Sequence, residues 1–200
     1  LQDAVTYAKQ RVQFGKPIAE FGLIKHKIAE MAIRTFALES MVYRTAALVD
    51  RILQKVDYNA DDAGIQMANG IEEYAIEDSI NKVYSSEVLD YIVDEAVQIH
   101  GGYGYIHDYA IERGYRDSRI NRIWEGTNEI NRLLIMDMLT KRAMKGRLPV
   151  LVAAQKVANE LLTLRPKVET DDGKLTLQKE MVEMSKKIGL LVTGAAVQKY

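Results

Sequence analysis

The sequence has no cysteine, which excludes disulfide frameworks, zinc ribbons and thiol nucleophiles while leaving the cellular compartment open. Proline is scarce: Pro17, Pro149 and Pro166 are the only three in 200 residues, so long stretches lack the residue that breaks helices. No apolar run approaches the ~18 residues of a membrane-spanning helix. A surplus of charge is missing as well, since the net charge is −1, which argues against a general nucleic-acid binder. The three histidines, His26, His100 and His107, stand far apart, with no H-E-x-x-H and no glutamate followed three residues later by histidine, so no metal site is expected. No serine occupies a G-x-S-x-G elbow, which leaves a nucleophilic triad without support.

What remains is an ordinary globular composition, 48% hydrophobic and 28% charged, in a chain long enough to bury a real core. The apolar residues recur at steps of three and four, which predicts an all-α protein. Ile24, Ile28, Met31, Thr35, Leu38, Val42, Thr45, Val49, Ile52 and Val56 keep one face apolar for about nine turns, so this helix is expected to be a principal core element. A second long stretch runs from Ile71 through Tyr74, Ala75, Asp78, Val83, Val88, Tyr91, Ile92 and Ala96 to Ile99, and stops at Gly101-Gly102. Between the two, Asn59, Asp61 and Asp62 mark a short helix that breaks near Gly70, the alternative being one continuous helix. Further helices are expected over residues 1–12, 109–123 and 127–144. Together these predict an up-down helical bundle of about five helices over residues 1–146.

Residues 147–200 read as the start of an appended helical region. Pro149 opens a helix to Leu164, Arg165-Pro166 and Asp171-Asp172-Gly173 make a polar linker, and a last helix runs to the end. That amphipathic helix, in a segment of net charge +3, is expected to pack on the bundle in preference to a membrane surface. A chain that opens on Leu1 and stops within an apolar-periodic stretch at Tyr200 reads as a piece of a longer one.

Charge is unevenly spread. Residues 57–100 hold eleven Asp or Glu and a single Lys, a net −10. A solvated outer face accounts for this, and a docking face for a basic partner is the sharper reading. Arg113, Arg116, Arg119 and Arg122 recur at every third position and are expected to serve the acidic helix as salt-bridge partners, with Arg116 and Asp117 a structural pair.

Three clusters carry chemistry. In Arg11-Val12-Gln13-Phe14-Gly15-Lys16 a guanidinium suited to phosphate, an amide and a ring suited to stacking meet at a helix end, although a basic residue there also simply complements the helix dipole. In Gln98-Ile99-His100-Gly101-Gly102-Tyr103-Gly104 the paired glycines admit a ligand or another backbone, or form a plain helix cap. In Ile123-Trp124-Glu125-Gly126-Thr127-Asn128-Glu129-Ile130 a carboxylate falls at a break between helices beside the largest apolar side chain, with Thr127 or Asn128 able to cap the next helix. A glutamate desolvated in this way is suited to general-base work, while most glutamates at helix boundaries are only solvated.

In this order and at these separations, with Tyr115-Arg116-Asp117 between the second and third, the clusters resemble the C-terminal domain of the acyl-CoA dehydrogenases over residues 1–145. Glu20-Phe21-Gly22-Leu23-Ile24 and the helical tail after Gly146 are more similar to the very-long-chain branch. The resemblance implies FAD as cofactor, an acyl-CoA substrate and a trans-2-enoyl-CoA product, formed as in fatty-acid β-oxidation with Glu125 as the α-proton-abstracting base and hydride passing to the flavin. It implies that Arg11, Gln13 and Phe14 contact the FAD of a neighbouring subunit, that Gln98, Gly101 and Gly102 form a second FAD segment, and that Thr127 and Glu129 lie beside the cofactor on the subunit's own side. Gly22 and Glu129 depart from relatives with Gln at these positions, and an acid at 129 is unfavourable near phosphates unless paired or turned away. A homodimer or dimer of dimers, and electron-transfer flavoprotein as acceptor, are implied as well. So is a cytoplasmic location in a bacterium, and the mitochondrial matrix or inner-membrane surface in a eukaryote. An acyl-CoA oxidase on the same scaffold and a non-catalytic helical oligomerisation or docking module are the alternatives.

Overall fold

The computed structural model describes residues 1–162 and 175–199, so the expected linker at 165–173 lies outside the described residues. Among the described residues there are eight α-helices: α1 (Gln2–Gln10), α2 (Gly22–Leu53), α3 (Ala63–Glu72), α4 (Ala75–His100), α5 (Ala110–Ser118), α6 (Asn128–Met144), α7 (Val150–Leu162) and α8 (Thr176–Lys199). The all-α expectation holds. None of these helices is long and apolar enough to cross a membrane.

Two local features differ from the pattern. Helix α1 stops at Gln10 because Val12–Gln13 (β1) pairs antiparallel with Lys16–Pro17 (β2), turning through Phe14 and Gly15 at φ +54° and +83°. Two positive-φ residues give a turn whose twist matches a hairpin, and strands this short have no alternation to read. Between the long helices, α3 starts after Asp62 as a separate short helix, but the break falls at Glu73-Tyr74 and not at Gly70. Gly70 is instead buried at a close approach to α2, since a Cβ there would lie 2.5 Å from Cγ2 of Ile52.

The chain divides into two compact units, Leu1–Ile135 and Met136–Tyr200. In the first, α4 is the central element. It packs against α1, α2, α5 and the 3-10 segments Gly101–Tyr105 and Arg119–Arg122. Ile76, Ser79, Val83, Ser86, Val88, Val93, Ala96, Ile99 and His100 of α4 are all buried. At 100° per residue these positions spread around most of the helix, as expected for a helix enclosed on several sides. Ala4 and Ala8 of α1 and Met31 of α2 complete a core with Ala96 and Ile99, flanked by Tyr7, Ile28 and Ile111.

Helix α2 corrects its expected role. Met31 and Thr45 are its only buried residues, and Val42 of the expected stripe is exposed, because α2 is covered along one side only. That side is partly polar. Nδ2 of Asn81 donates to Oγ1 of Thr45 at 2.9 Å, Lys27 pairs with Glu95, and the Arg34 guanidinium lies 4.0 Å from the ring centroid of Tyr91.

In the second unit, Gly146 at φ +70° ends α6 as the amides of Gly146 and Arg147 return to the carbonyls of Ala143 and Arg142. Helices α7 and α8 pack together, burying Ala154, Val157 and Gly194, with Lys187 paired to Glu160 at 2.8 Å.

Candidate functional site

Helix α4 supports two constructions in the first unit. At its C-terminal end the chain leaves through Gly101 at φ +60° and ψ −142°, a conformation open to glycine. A Cβ on Gly101 or Gly102 would meet no protein atom within 4 Å. Here lies a cavity of about 490 Å³ lined by Tyr7, Arg11, Gln13, Gln98, Gly101, Gly102 and Tyr103, among others. The α1 end and the hairpin thus bring Arg11 and Gln13 to the residues that close α4.

The rings of Tyr7, His100 and Tyr103 make part of the cavity wall beside Ile18, Ile99 and Ile106, and Tyr109 packs against the first two from outside the lining. Tyr7 stacks on His100 with centroids 4.1 Å apart, Tyr109 meets both rings edge-on, and the Arg11 guanidinium lies 5.3 Å from the Tyr103 ring centroid. His100 is buried, with Nδ1 placed to donate to the carbonyl of Ala96 at 2.7 Å. Burial pushes the Tyr7 hydroxyl pKa up, with the positive charge of Arg11 opposing the shift. A guanidinium, two side-chain amides, ring faces and bare backbone form a donor set that fits a phosphate-bearing ligand with a planar ring. Phe14 does not join it. That side chain is 92% exposed at the hairpin turn, edge-on to Phe21.

The second construction is the turn between the 3-10 segment Arg119–Arg122 and α6. Glu125 is held at φ +52° and is followed by Gly126 at +77°. A non-glycine residue in left-handed backbone is strained and persists only where its surroundings fix it. They do so here through the carbonyl groups. Nδ2 of Asn131 lies 2.9 Å from the Gly126 oxygen, with those of Thr127 and Glu125 at 3.2 and 3.4 Å. Nζ of Lys82, reaching from α4, donates to the Gly126 oxygen at 2.6 Å and to Oδ1 of Asn128 at 2.9 Å. Asn128 is buried, and its Nδ2 donates to Oγ of Ser86 at 2.9 Å.

Thr127 takes the capping role, its Oγ1 accepting from the amide of Ile130 at 3.3 Å, while Asn128 serves the buried network. Glu129 is exposed, and its carboxyl is held below its usual pKa by its own backbone amide and the Thr127 hydroxyl, with Arg132 and Arg119 contributing charge. Its negative charge is therefore satisfied locally. Glu125 does not receive the apolar cover expected from Trp124, because Trp124 is 55% exposed and Glu125 is exposed too.

Of the predicted site residues, Arg11, Gln13, Gln98, Gly101 and Gly102 meet in the cavity; Glu125, Thr127 and Glu129 share the turn; Phe14 lies in neither. Sequence reasoning missed Lys82 and Asn131. The one signal for Lys82 was its standing alone as a cation among eleven carboxylates in residues 57–100. Glu87, Asp90 and Glu95 of the acidic helix pair with Arg132, Arg122 and Lys27, so that Arg122 takes the salt-bridge role expected of it. Arg116 pairs with Glu112, four residues back on its own helix, and not with Asp117. Arg116, Arg119 and Arg122 line a second cleft of about 450 Å³ with Tyr105 and Tyr115.

A helical bundle with a cavity at the end of α4 and a clamped carboxylate turn defines a class of helical domain with two candidate sites. The family model described as "Acyl-CoA dehydrogenase, C-terminal domain" matches residues 1–140, and the chain belongs to the acyl-CoA dehydrogenase family. It is 52% identical over 199 residues to a "Probable acyl-CoA dehydrogenase" of Bacillus subtilis strain 168, covering 98% of this chain and 33% of the relative. The crystal structure of an acyl-CoA dehydrogenase complexed with FAD from Bacillus anthracis matches with a TM-score of 0.93 at 54% identity, over 98% of this chain and 33% of that one. A "Caffeyl-CoA reductase-Etf complex subunit CarC" of Acetobacterium woodii is 42% identical over 142 residues, 71% of this chain and 32% of the relative. The chain thus spans about a third of the length of these proteins.

Proposed function

We propose that this chain contributes the base and part of the cofactor site of an FAD-dependent acyl-CoA dehydrogenase, which converts an acyl-CoA to the trans-2-enoyl-CoA in fatty-acid β-oxidation. The observation that carries the reading is the Glu125 turn, a carboxylate in strained backbone at a helix junction whose carbonyl groups are tied down. Glu125 takes the α-proton of the thioester, a transfer from carbon that depends on close alignment of the base. Bound FAD supplies the hydride acceptor, so that proton and hydride leave adjacent carbons as the double bond forms. Ile123 and Trp124, both about half exposed beside Glu125, are available to an acyl chain that would exclude water from the base.

Arg11, Gln13, Gln98 and the backbone at Gly101 and Gly102 would hold the phosphate and adenosine part of FAD. No residue of the Glu125 turn lines that cavity, which supports its serving the FAD of a second copy in a homodimer or dimer of dimers. Electron-transfer flavoprotein as the electron acceptor is supported by the relative whose name places it in an Etf complex.

The test is Glu125→Gln in a full-length protein carrying this chain. Anaerobic bleaching of the flavin by acyl-CoA is expected to slow by about 10²–10⁴-fold with flavin absorbance retained. Near-wild-type bleaching would remove Glu125 from the role, and a colourless protein unable to take up FAD would favour a non-catalytic module.

A further inference from the structure

We infer that Lys82 is a positioning residue for proton abstraction: from α4 it holds the turn that aims Glu125, an inference that rests on the reading of Glu125 as the base. Asn131 belongs to α6 itself, so its contacts to the carbonyls of residues 125–127 fix the shape of the turn. They do not fix where the turn stands in the fold. Lys82 does, because it is 44 residues away in sequence from Gly126 and seated in the most enclosed helix of the unit. Its ammonium reaches both the Gly126 oxygen and Oδ1 of Asn128, and Ser86, one helical turn further along α4, holds the same Asn128 side chain.

The anchor is charged, which suits its task. A charge-assisted bond to a carbonyl is shorter and stronger than a neutral one, and the 2.6 Å separation is of that kind. Two consecutive left-handed residues would otherwise relax toward ordinary backbone and swing the Glu125 side chain with them. The same helix carries Gln98 near its end and leads directly into Gly101 and Gly102. Helix α4 therefore carries both the anchor of the base and part of the cofactor cavity, and it sets the frame in which each is placed. Lys82 itself contacts backbone and Asn128, so its effect passes through Glu125.

The experiment compares Lys82→Met, Lys82→Arg, Glu125→Gln and the Lys82→Met/Glu125→Gln double variant in the FAD-loaded full-length protein. Lys82→Met is expected to lower kcat by about tenfold to a hundredfold, the scale of a base misplaced by about 1 Å. KM for acyl-CoA and FAD content should stay unchanged, and the isotope effect with α-deuterated acyl-CoA should rise as proton transfer becomes slower. Lys82→Arg should recover most of the rate. The double variant should be no slower than Glu125→Gln alone, since two residues acting through one step are not additive. A Lys82→Met rate within twofold of wild type, additive losses in the double variant, or loss of FAD or of the folded state would each overturn the proposal. Undiminished activity in Glu125→Gln would instead overturn the underlying reading of the base, so the two failures are told apart.

Discussion

Helices α2 and α4 are the two longest in the first unit and both are rich in apolar residues, yet α4 buries nine side chains where α2 buries two. On α2, Ile33, Phe36 and Tyr43 are 60%, 73% and 71% exposed. The difference lies in position. Helix α4 is enclosed by α1, α2, α5 and two 3-10 segments, whereas α2 meets its neighbours along one side and binds α4 there partly through Thr45, Arg34 and Lys27. An apolar stripe on a helix states that water is to be excluded from it. It does not name what excludes the water.

Three substitutions sharpen or break this contrast. Ile99→Ala on α4, at 3% exposure in the core cluster, is expected to lower unfolding free energy by about 2–5 kcal/mol, read as a lower denaturant midpoint at unchanged slope. Thr45→Val on α2 removes the acceptor for Asn81 at a buried position and should cost about 1–3 kcal/mol in the same measurement. Phe36→Ser on the outward face of α2 should change the stability of the 200-residue chain by no more than about 0.5 kcal/mol, within the error of most denaturation curves. A cost for Phe36→Ser equal to that of Ile99→Ala would mean that the outer face of α2 is covered, and the contrast would fail.

The readable parts of the fold are those that repeat. The three- and four-residue steps located α2 and α4 to within a few residues, Gly101 ended α4, and Asp62 preceded α3. The hairpin at Val12–Pro17 was not readable because two-residue strands have no period, and the break at Glu73-Tyr74 carries no glycine or proline to announce it. The site divides in the same way. Arg11, Gln13, Gln98, Gly101 and Gly102 stand in compact motifs, and their meeting in one cavity follows from α1 packing against the end of α4. Lys82 stands in no motif. Its partner Gly126 is 44 residues away, and a contact of that range leaves no spacing signal in either segment.

From the amino-acid sequence alone came the all-α class, the course of the long helices and the resemblance to the acyl-CoA dehydrogenases, because helical periodicity and short motifs are local properties of the chain. Only the tertiary structure decided that α4 and not α2 forms the centre, that Glu125 sits in strained backbone clamped by Asn131 and Lys82, and that Glu125 lacks cover from Trp124 within this chain. Burial, strain and long-range hydrogen bonds depend on which surfaces meet, and that is a property of packing, not of spacing.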